Sequence, residues 1–154
     1  MTLKAGDKAP DFTLQDDSGT TRTLSEYTAQ GPVVLFFYPA ASTPGCTAEA
    51  CHFRDLASEF AQYGAQRLGI SVDDVSKQES FSAKHGFDYP LLADVGGAVA
   101  AAYGVKRGAL MGKLTPVKRA TFVIGSDGIV KEVIASETRM NTHADTALEV
   151  LARG

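Results

Sequence analysis

Apolar and polar positions along the chain change period several times, and each change marks an element. Phe12-Thr13-Leu14 and Thr21-Arg22-Thr23-Leu24 flank Asp16-Asp17-Ser18-Gly19, the turn chemistry of a small hairpin. Val33 to Tyr38 follows Gly31-Pro32 as an unbroken apolar, β-branched and aromatic run. Such a run predicts a central strand covered on both faces. The period then shifts: between Thr47 and Tyr63 the apolar residues Ala50, Phe53, Leu56, Ala57 and Phe60 recur at helical spacing, predicting one amphipathic helix that ends at Gly64. Arg67 to Val72 reads as a second strand. Ser76 to His85 reads as a polar helix stopped by Gly86, and Ala98 to Tyr103 as a short alanine-rich one stopped by Gly104. Ala120 to Ile124 and Ile129 to Ile134, joined by Gly125-Ser126-Asp127-Gly128, form a second hairpin, and a helix from His143 to Leu151, capped by Asn141 or Thr142, closes the chain. This order predicts an α/β fold, a mixed central sheet flanked by helices on both faces.

Composition narrows the partners. With 154 residues, 44% hydrophobic and 21% charged, the chain is expected to form one domain over 1–154 and to bury a core without metal or disulfide staples. Its 15 Lys plus Arg against 18 Asp plus Glu, with no basic block, argue against nucleic acid or an anionic membrane surface as partner. The N-terminus has no apolar secretion segment, and the strongest apolar run is far short of the ~20 residues that span a bilayer, so the expected location is cytoplasmic. Two cysteines, Cys46 and Cys51, are too few for a disulfide framework and stand five positions apart.

The chemistry concentrates between Tyr38 and His52, in the loop that leaves the central strand and feeds the next helix. Ligands bind at the carboxyl ends of strands in open α/β sheets. Unpaired backbone N–H groups and the positive end of the helix dipole favour a thiolate there, so Cys46 is placed to be acidic. A free thiol is only ~3% ionised at pH 7, and bringing its pKa to ~6 needs ~3.4 kcal/mol of differential stabilisation. A helix end supplies ~0.3–1 kcal/mol, up to ~2 when partly buried, so a cation should assist. Arg119, just before an apolar strand, is the candidate, with Lys118, Arg107 and Lys106 close by in sequence. An inert core role for Cys46 is the alternative, opposed by the Pro-Gly turn before it and the hydroxyl of Thr43. C-x4-C-H is neither a zinc nor a haem-attachment spacing, and His85 and His143 fall at helix ends, where capping or surface roles are expected; no metal and no cofactor is implied.

Cys51 adds a geometric expectation. On an α-helix, positions five apart lie ~8.6 Å from each other and ~140° round the axis. A disulfide needs Cα atoms within ~7 Å. If both cysteines are helical when reduced, a bridge between them requires the helix to unwind.

Pro39, Thr43 and Cys46 fit the P-x-x-x-T/S-x-x-C motif of peroxiredoxins. Thr43-Pro44-Gly45-Cys46-Thr47, with Cys51 and then Phe53-Arg54-Asp55, resembles the bacterioferritin comigratory protein or peroxiredoxin Q subfamily. The resemblance runs nearly end to end, through Gly6-Asp7-Lys8-Ala9-Pro10-Asp11-Phe12, Pro90-Leu91-Leu92-Ala93-Asp94, Ala102-Tyr103-Gly104-Val105 and Arg119-Ala120-Thr121-Phe122-Val123-Ile124. It implies a thioredoxin-like fold and a thiol-dependent peroxidase acting on hydrogen peroxide and organic hydroperoxides. Cys46 would be the peroxidatic cysteine, with Thr43, Arg119 and the Gly45 and Cys46 amides holding the peroxide oxygens and Pro39 walling off bulk water. Glu49 matches a family glutamate that would orient the arginine; from spacing alone it reads as an exposed helix carboxylate. Cys51 matches the resolving position of members that close an intrahelical disulfide, reopened by thioredoxin or a similar dithiol reductant. The chain departs from many relatives at Ala40 and Ala41, neutral where those carry a lysine and an acidic residue. The subfamily includes many monomers, so a monomer or weak dimer is expected. Two further readings share the residues: a thioredoxin-type disulfide oxidoreductase, which lacks its C-x-x-C here, and a redox sensor or holdase driven by the same helix-to-loop change.

Overall fold

The computed structural model describes residues 2–108 and 116–154. Among them the elements run β1 (Thr13–Asp16), β2 (Thr21–Thr23), α1 (Leu24–Thr28), β3 (Val33–Phe37), α2 (Pro44–Asp55), α3 (Ala57–Gln62), β4 (Gln66–Ser71), α4 (Val75–His85), β5 (Leu91–Ala93), α5 (Ala98–Ala102), β6 (Ala120–Ile124), β7 (Val130–Ala135) and α6 (Met140–Arg153). The strands form one mixed sheet in the order β2-β1-β5-β4-β3-β6-β7. β3 lies parallel to β4 and antiparallel to β6. None of the described helices is long and apolar enough to cross a membrane.

The unbroken apolar run of β3 is explained by its two faces. Successive side chains of a strand point to opposite sides. Val33, Leu35 and Phe37 enter one core with Leu68, Ile70, Phe122 and the α5 residues Val99 and Ala100. Val34 and Phe36, with Tyr38 beyond the strand, enter the other, beneath α2, α3, α4 and α6. Phe36 stacks on Phe53 of α2 with centroids 4.1 Å apart, and Phe53 on Phe60 of α3 at 5.7 Å.

Four features differ from the sequence expectation. The helix expected from Thr47 to Tyr63 starts earlier, at Pro44, and breaks at Leu56 into α2 and α3. Arg67 causes the break: its Nη1 donates to the Phe53 carbonyl at 2.8 Å, the acceptor that a continuous helix would give to the Ala57 amide. A bidentate pair with Asp88, at 2.9 and 2.7 Å, holds the guanidinium there. The short elements α1 and β5 carry no period of their own; β5 forms because β4 and β1 offer it partners on both sides. The last helix begins at Met140, before the expected Asn141 or Thr142 cap, and Ser136 Oγ instead accepts from the Arg139 amide at 2.9 Å. Finally, His143 is fully buried, not at the surface.

Candidate active site

Sheet register builds the site. Ala120 of β6 stands opposite Phe37 of β3, and the two strands are antiparallel. Arg119, the residue before β6, therefore emerges at the edge where β3 ends and the chain turns into α2. Tyr38 extends β3 by one bond, its amide donating to the Ile70 carbonyl at 3.1 Å. The buried Tyr38 hydroxyl donates to Gln78 Oε1 at 2.6 Å, and Gln78 Nε2 donates to Ser71 Oγ and the Leu92 carbonyl. Burial holds that phenol well above its usual range, so it remains a donor. Pro39, next in the chain, is buried too. Asp73 accepts the Ala41 amide at 2.7 Å, and Ser42 occupies the left-handed region at φ 65°. These contacts fix the turn that delivers Thr43 and Pro44 to the first positions of α2.

Cys46 then falls in the first turn, its side chain 1% exposed. Arg119 Nη2 donates to Cys46 Sγ at 3.4 Å, while Nη1 of the same guanidinium donates to Glu49 Oε1 at 2.8 Å. One turn of helix separates Cys46 from Glu49, so a planar fork can hold both. Arg119 is 6% exposed; burial works against its charge, but Glu49 and Cys46 outweigh this and raise it above its usual value. Its backbone amide is fixed in turn by Glu137 Oε2, which also accepts from Arg107 Nη2. The other cations are engaged elsewhere or solvated: Lys106 reaches the Gly96 carbonyl, Arg107 binds Glu137, and Lys118 is exposed. Among the described residues, Arg119 is the cation that touches Cys46.

Gly45 has no room for a side chain without displacing its neighbours. A Cβ there would lie 3.2 Å from Met140 Cε and 3.3 Å from Arg119 Nη2. Glu49, readable from spacing as exposed, is fully buried, and burial pushes its carboxyl up to about 8 against the pull of Arg119. Thr43 is exposed, and its hydroxyl donates to the Ala40 carbonyl at 2.8 Å, not to Cys46. Cys51 is half-buried on the same helix, and both thiols are free. His52 beside it pairs with Asp145 of α6 at 2.7 Å. No cluster among the described residues is placed to hold a metal.

Spacing around the cysteines does not reveal His143, Glu137, Met140 or Gln78. A usable signal exists for His143 alone: it stands four residues before Ala147 and seven before Val150, on the buried stripe of α6.

A buried thiol at a helix N-terminus, forked by an arginine, is set up for nucleophilic attack with charge stabilisation. Comparison with known proteins gives this chemistry a lineage. Residues 5–133 match the AhpC/TSA family. A Mycobacterium tuberculosis protein whose name places it among the peroxiredoxins is 61% identical over 149 residues, covering 97% of this chain and 96% of its own. The crystal structure of peroxidoxin BcpB from the same organism superposes with a TM-score of 0.93 at 60% identity, over 98% of this chain and 97% of that one. A solved structure of Xanthomonas campestris peroxiredoxin Q, a cysteine-to-serine mutant, gives 0.87 at 34% identity, over 98% and 99%. Sequence and backbone agree over nearly the whole length, and the chain belongs to the AhpC/TSA family as a thioredoxin-fold peroxiredoxin of the peroxiredoxin Q and bacterioferritin comigratory protein type.

Proposed function

We infer that this peroxidase works through Cys46 as nucleophile and Cys51 as resolving thiol, with a thioredoxin-type dithiol as electron donor. The observation that carries the reading is the single guanidinium of Arg119 bonded to both Cys46 Sγ and Glu49.

A hydroperoxide enters past the exposed Thr43 with its terminal oxygen toward Cys46. Thr43 Oγ, whose own hydrogen is committed to Ala40, has lone pairs free to accept from the peroxide O–H, while Arg119 donates to the oxygens. The thiolate pair forms the S–O bond as the O–O bond breaks, the attacked O–H stays on sulfur as the sulfenic acid, and the leaving oxygen takes up through solvent the proton that the thiol released on ionising and departs as water or alcohol. Charge moves from sulfur to that oxygen beneath a cation already in place, the condition under which electrostatic stabilisation is strongest. Buried Pro39 limits water at the sulfur.

Resolution needs movement. Cys46 and Cys51 both lie within α2, where five helical positions leave the Cα atoms ~8.6 Å apart, beyond the ~7 Å reach of a disulfide. The first turns of α2 unwind, the Cys51 thiolate attacks the sulfenic sulfur, water leaves, and the disulfide stands exposed for exchange with a dithiol. The chain is read as one domain, cytoplasmic, and a monomer or weak dimer.

Steady-state turnover with thioredoxin, its reductase and NADPH tests this, using wild type, Cys46→Ser and Cys51→Ser. Cys46→Ser is expected to be inactive, and residual turnover would overturn the assignment. One equivalent of peroxide should link Cys46 to Cys51 by mass mapping. An oxidised Cys46 with Cys51 still free would remove Cys51 from the role.

A further inference from the structure

The segment ahead of the nucleophile is gripped at both ends by one hydrogen-bond network that takes no member from α2. At one end the Tyr38 hydroxyl donates to Gln78 Oε1 at 2.6 Å, and at the other the Ala41 amide donates to Asp73 Oδ2 at 2.7 Å. Ser71 joins the two. Gln78 Nε2 donates to Ser71 Oγ at 2.9 Å and to the Leu92 carbonyl at 2.8 Å; a carbonyl only accepts, so the orientation of the side-chain amide is fixed. The Asp73 amide also reaches Ser71 Oγ, at 3.3 Å. Both lone pairs of that oxygen are then taken, and its one hydrogen goes to Asp73 Oδ2, 2.7 Å away. Each donor hydrogen is thereby assigned, from the Tyr38 phenol through α4 and the end of β4 to the Ala41 amide. Gln78 is fully buried and Ser71 is 1% exposed. A buried polar network with every member satisfied is rigid, and removing one member strands its partners.

Beyond the gripped segment the backbone changes character. Ser42 is exposed and holds φ 65°, the only positive φ of a non-glycine residue among the described residues. The Thr47 amide then makes the first bond of α2, to the Thr43 carbonyl at 2.8 Å. We propose that Gln78 and Asp73 are positioning residues for the peroxide step: through Ser71 they hold Tyr38 to Ala41 as a fixed post, and α2 unwinds from Ser42 onward without moving it. This rests on the Cys46 reading above. The partners lie on β4, α4 and β5 and in the turn after β4, so unwinding α2 costs the network no bond. Between the two gripped ends stands Pro39, read above as limiting water at the sulfur. The Ala40 carbonyl, also between them, accepts from Thr43 Oγ at 2.8 Å, so the post sets where that hydroxyl meets the peroxide. With the Ala41 amide released, both residues would shift, and a displacement of about 1 Å lowers a rate by up to ~10²-fold.

Asp73→Ala and Asp73→Asn in the full-length protein test this. Asparagine keeps an oxygen able to accept from both Ala41 and Ser71, whereas alanine keeps none. The rate constant of the reduced protein with hydrogen peroxide should fall about tenfold or more in Asp73→Ala and stay within about threefold of wild type in Asp73→Asn. Alkylation of Cys46 by iodoacetamide at the same pH, which needs the thiolate but not the fit to a peroxide, should not fall in either. Removing the Gln78 amide would strand the Tyr38 hydroxyl and the Leu92 carbonyl in the core, so Ser71→Ala, which cuts Gln78 from Asp73, reports on it. That variant should slow the peroxide step, and combined with Asp73→Ala it should cost nothing further. Hydrogen exchange should find the Ala41 amide protected in reduced and disulfide forms alike, and the Thr47 amide protected only when reduced. An unchanged peroxide constant in Asp73→Ala or Ser71→Ala, an Asp73→Asn as slow as Asp73→Ala, a parallel fall in alkylation, or loss of Ala41 protection on oxidation would overturn the proposal. Cys46→Ser separates the two readings: it keeps turning over if the Cys46 assignment is wrong, and is inactive if only the post is wrong.

Discussion

Arg119 and Gly45 set the tolerances of the site at the scale of single residues. Arg119→Lys keeps a positive charge but replaces a planar fork by a point charge that cannot bridge sulfur and carboxyl together. A loss of about 10²–10³ in kcat/KM for peroxide is expected, measured by coupled turnover. Gly45→Ala separates activity from stability. Alanine favours the helix by ~0.5–1 kcal/mol, so the urea midpoint should rise or hold. The added methyl meets Met140 Cε, which can yield, and Arg119 Nη2, which is tethered at Cys46 and Glu49. Displacing that nitrogen by a few tenths of an ångström should lower kcat/KM about tenfold. Cys46, Thr43 and Pro39 are legible from sequence because a loop, a turn and a helix start leave local marks. Glu49 and His143 are not, because what matters about them is burial against one another across 94 positions of chain, and spacing within α2 says nothing of what α6 places opposite.

Between elements, the unwinding proposed for α2 would meet a stop. Phe53 is stacked on Phe36, and Arg67 grips its carbonyl, so the end of α2 is anchored in the sheet. Ahead of that anchor the helix is tied by the Tyr89 hydroxyl donating to the Ala50 carbonyl at 2.7 Å and by the His52–Asp145 pair. Tyr89→Phe removes one hydrogen bond worth about 0.5–1.5 kcal/mol, so disulfide closure after a peroxide pulse should accelerate several-fold in stopped-flow, with faster exchange of the α2 amides. The anchor itself is acid-sensitive. Arg67 holds the Asp88 carboxyl below its usual value, so the stabilisation is present above the ordinary carboxylate range and is lost as pH falls through the folded value. A thermal midpoint that falls less steeply with acid in Asp88→Asn than in wild type would show it. The same arginine explains why periodicity predicts one helix here: the apolar spacing continues through Leu56, and the break comes from a side chain that lies outside it, on β4. β3, β4, α4, β6 and α6 are legible because each keeps one period, whereas α1 and β5, at five and three residues, are too short to show any.

Over the whole molecule, two cores back to back on β3 divide the labour. Leu35 is fully buried in the core on the face away from α2, and Leu35→Ala should cost about 2–5 kcal/mol in urea unfolding. That face holds Phe37, Tyr103 and Phe122 in mutual edge and tilted contact and, among the described residues, takes none from α2. The core beneath α2 holds Cys46 and Ala50, and it is the one that the proposed disulfide would open. A molecule with one core would risk its register every time the helix opened. On the mechanism proposed above, the far face would work as a memory: it would keep β3 and β6 in alignment while α2 unwinds on the near face, so that on reduction the chain would find its starting arrangement by local winding alone, without the turnover cycle becoming a folding reaction.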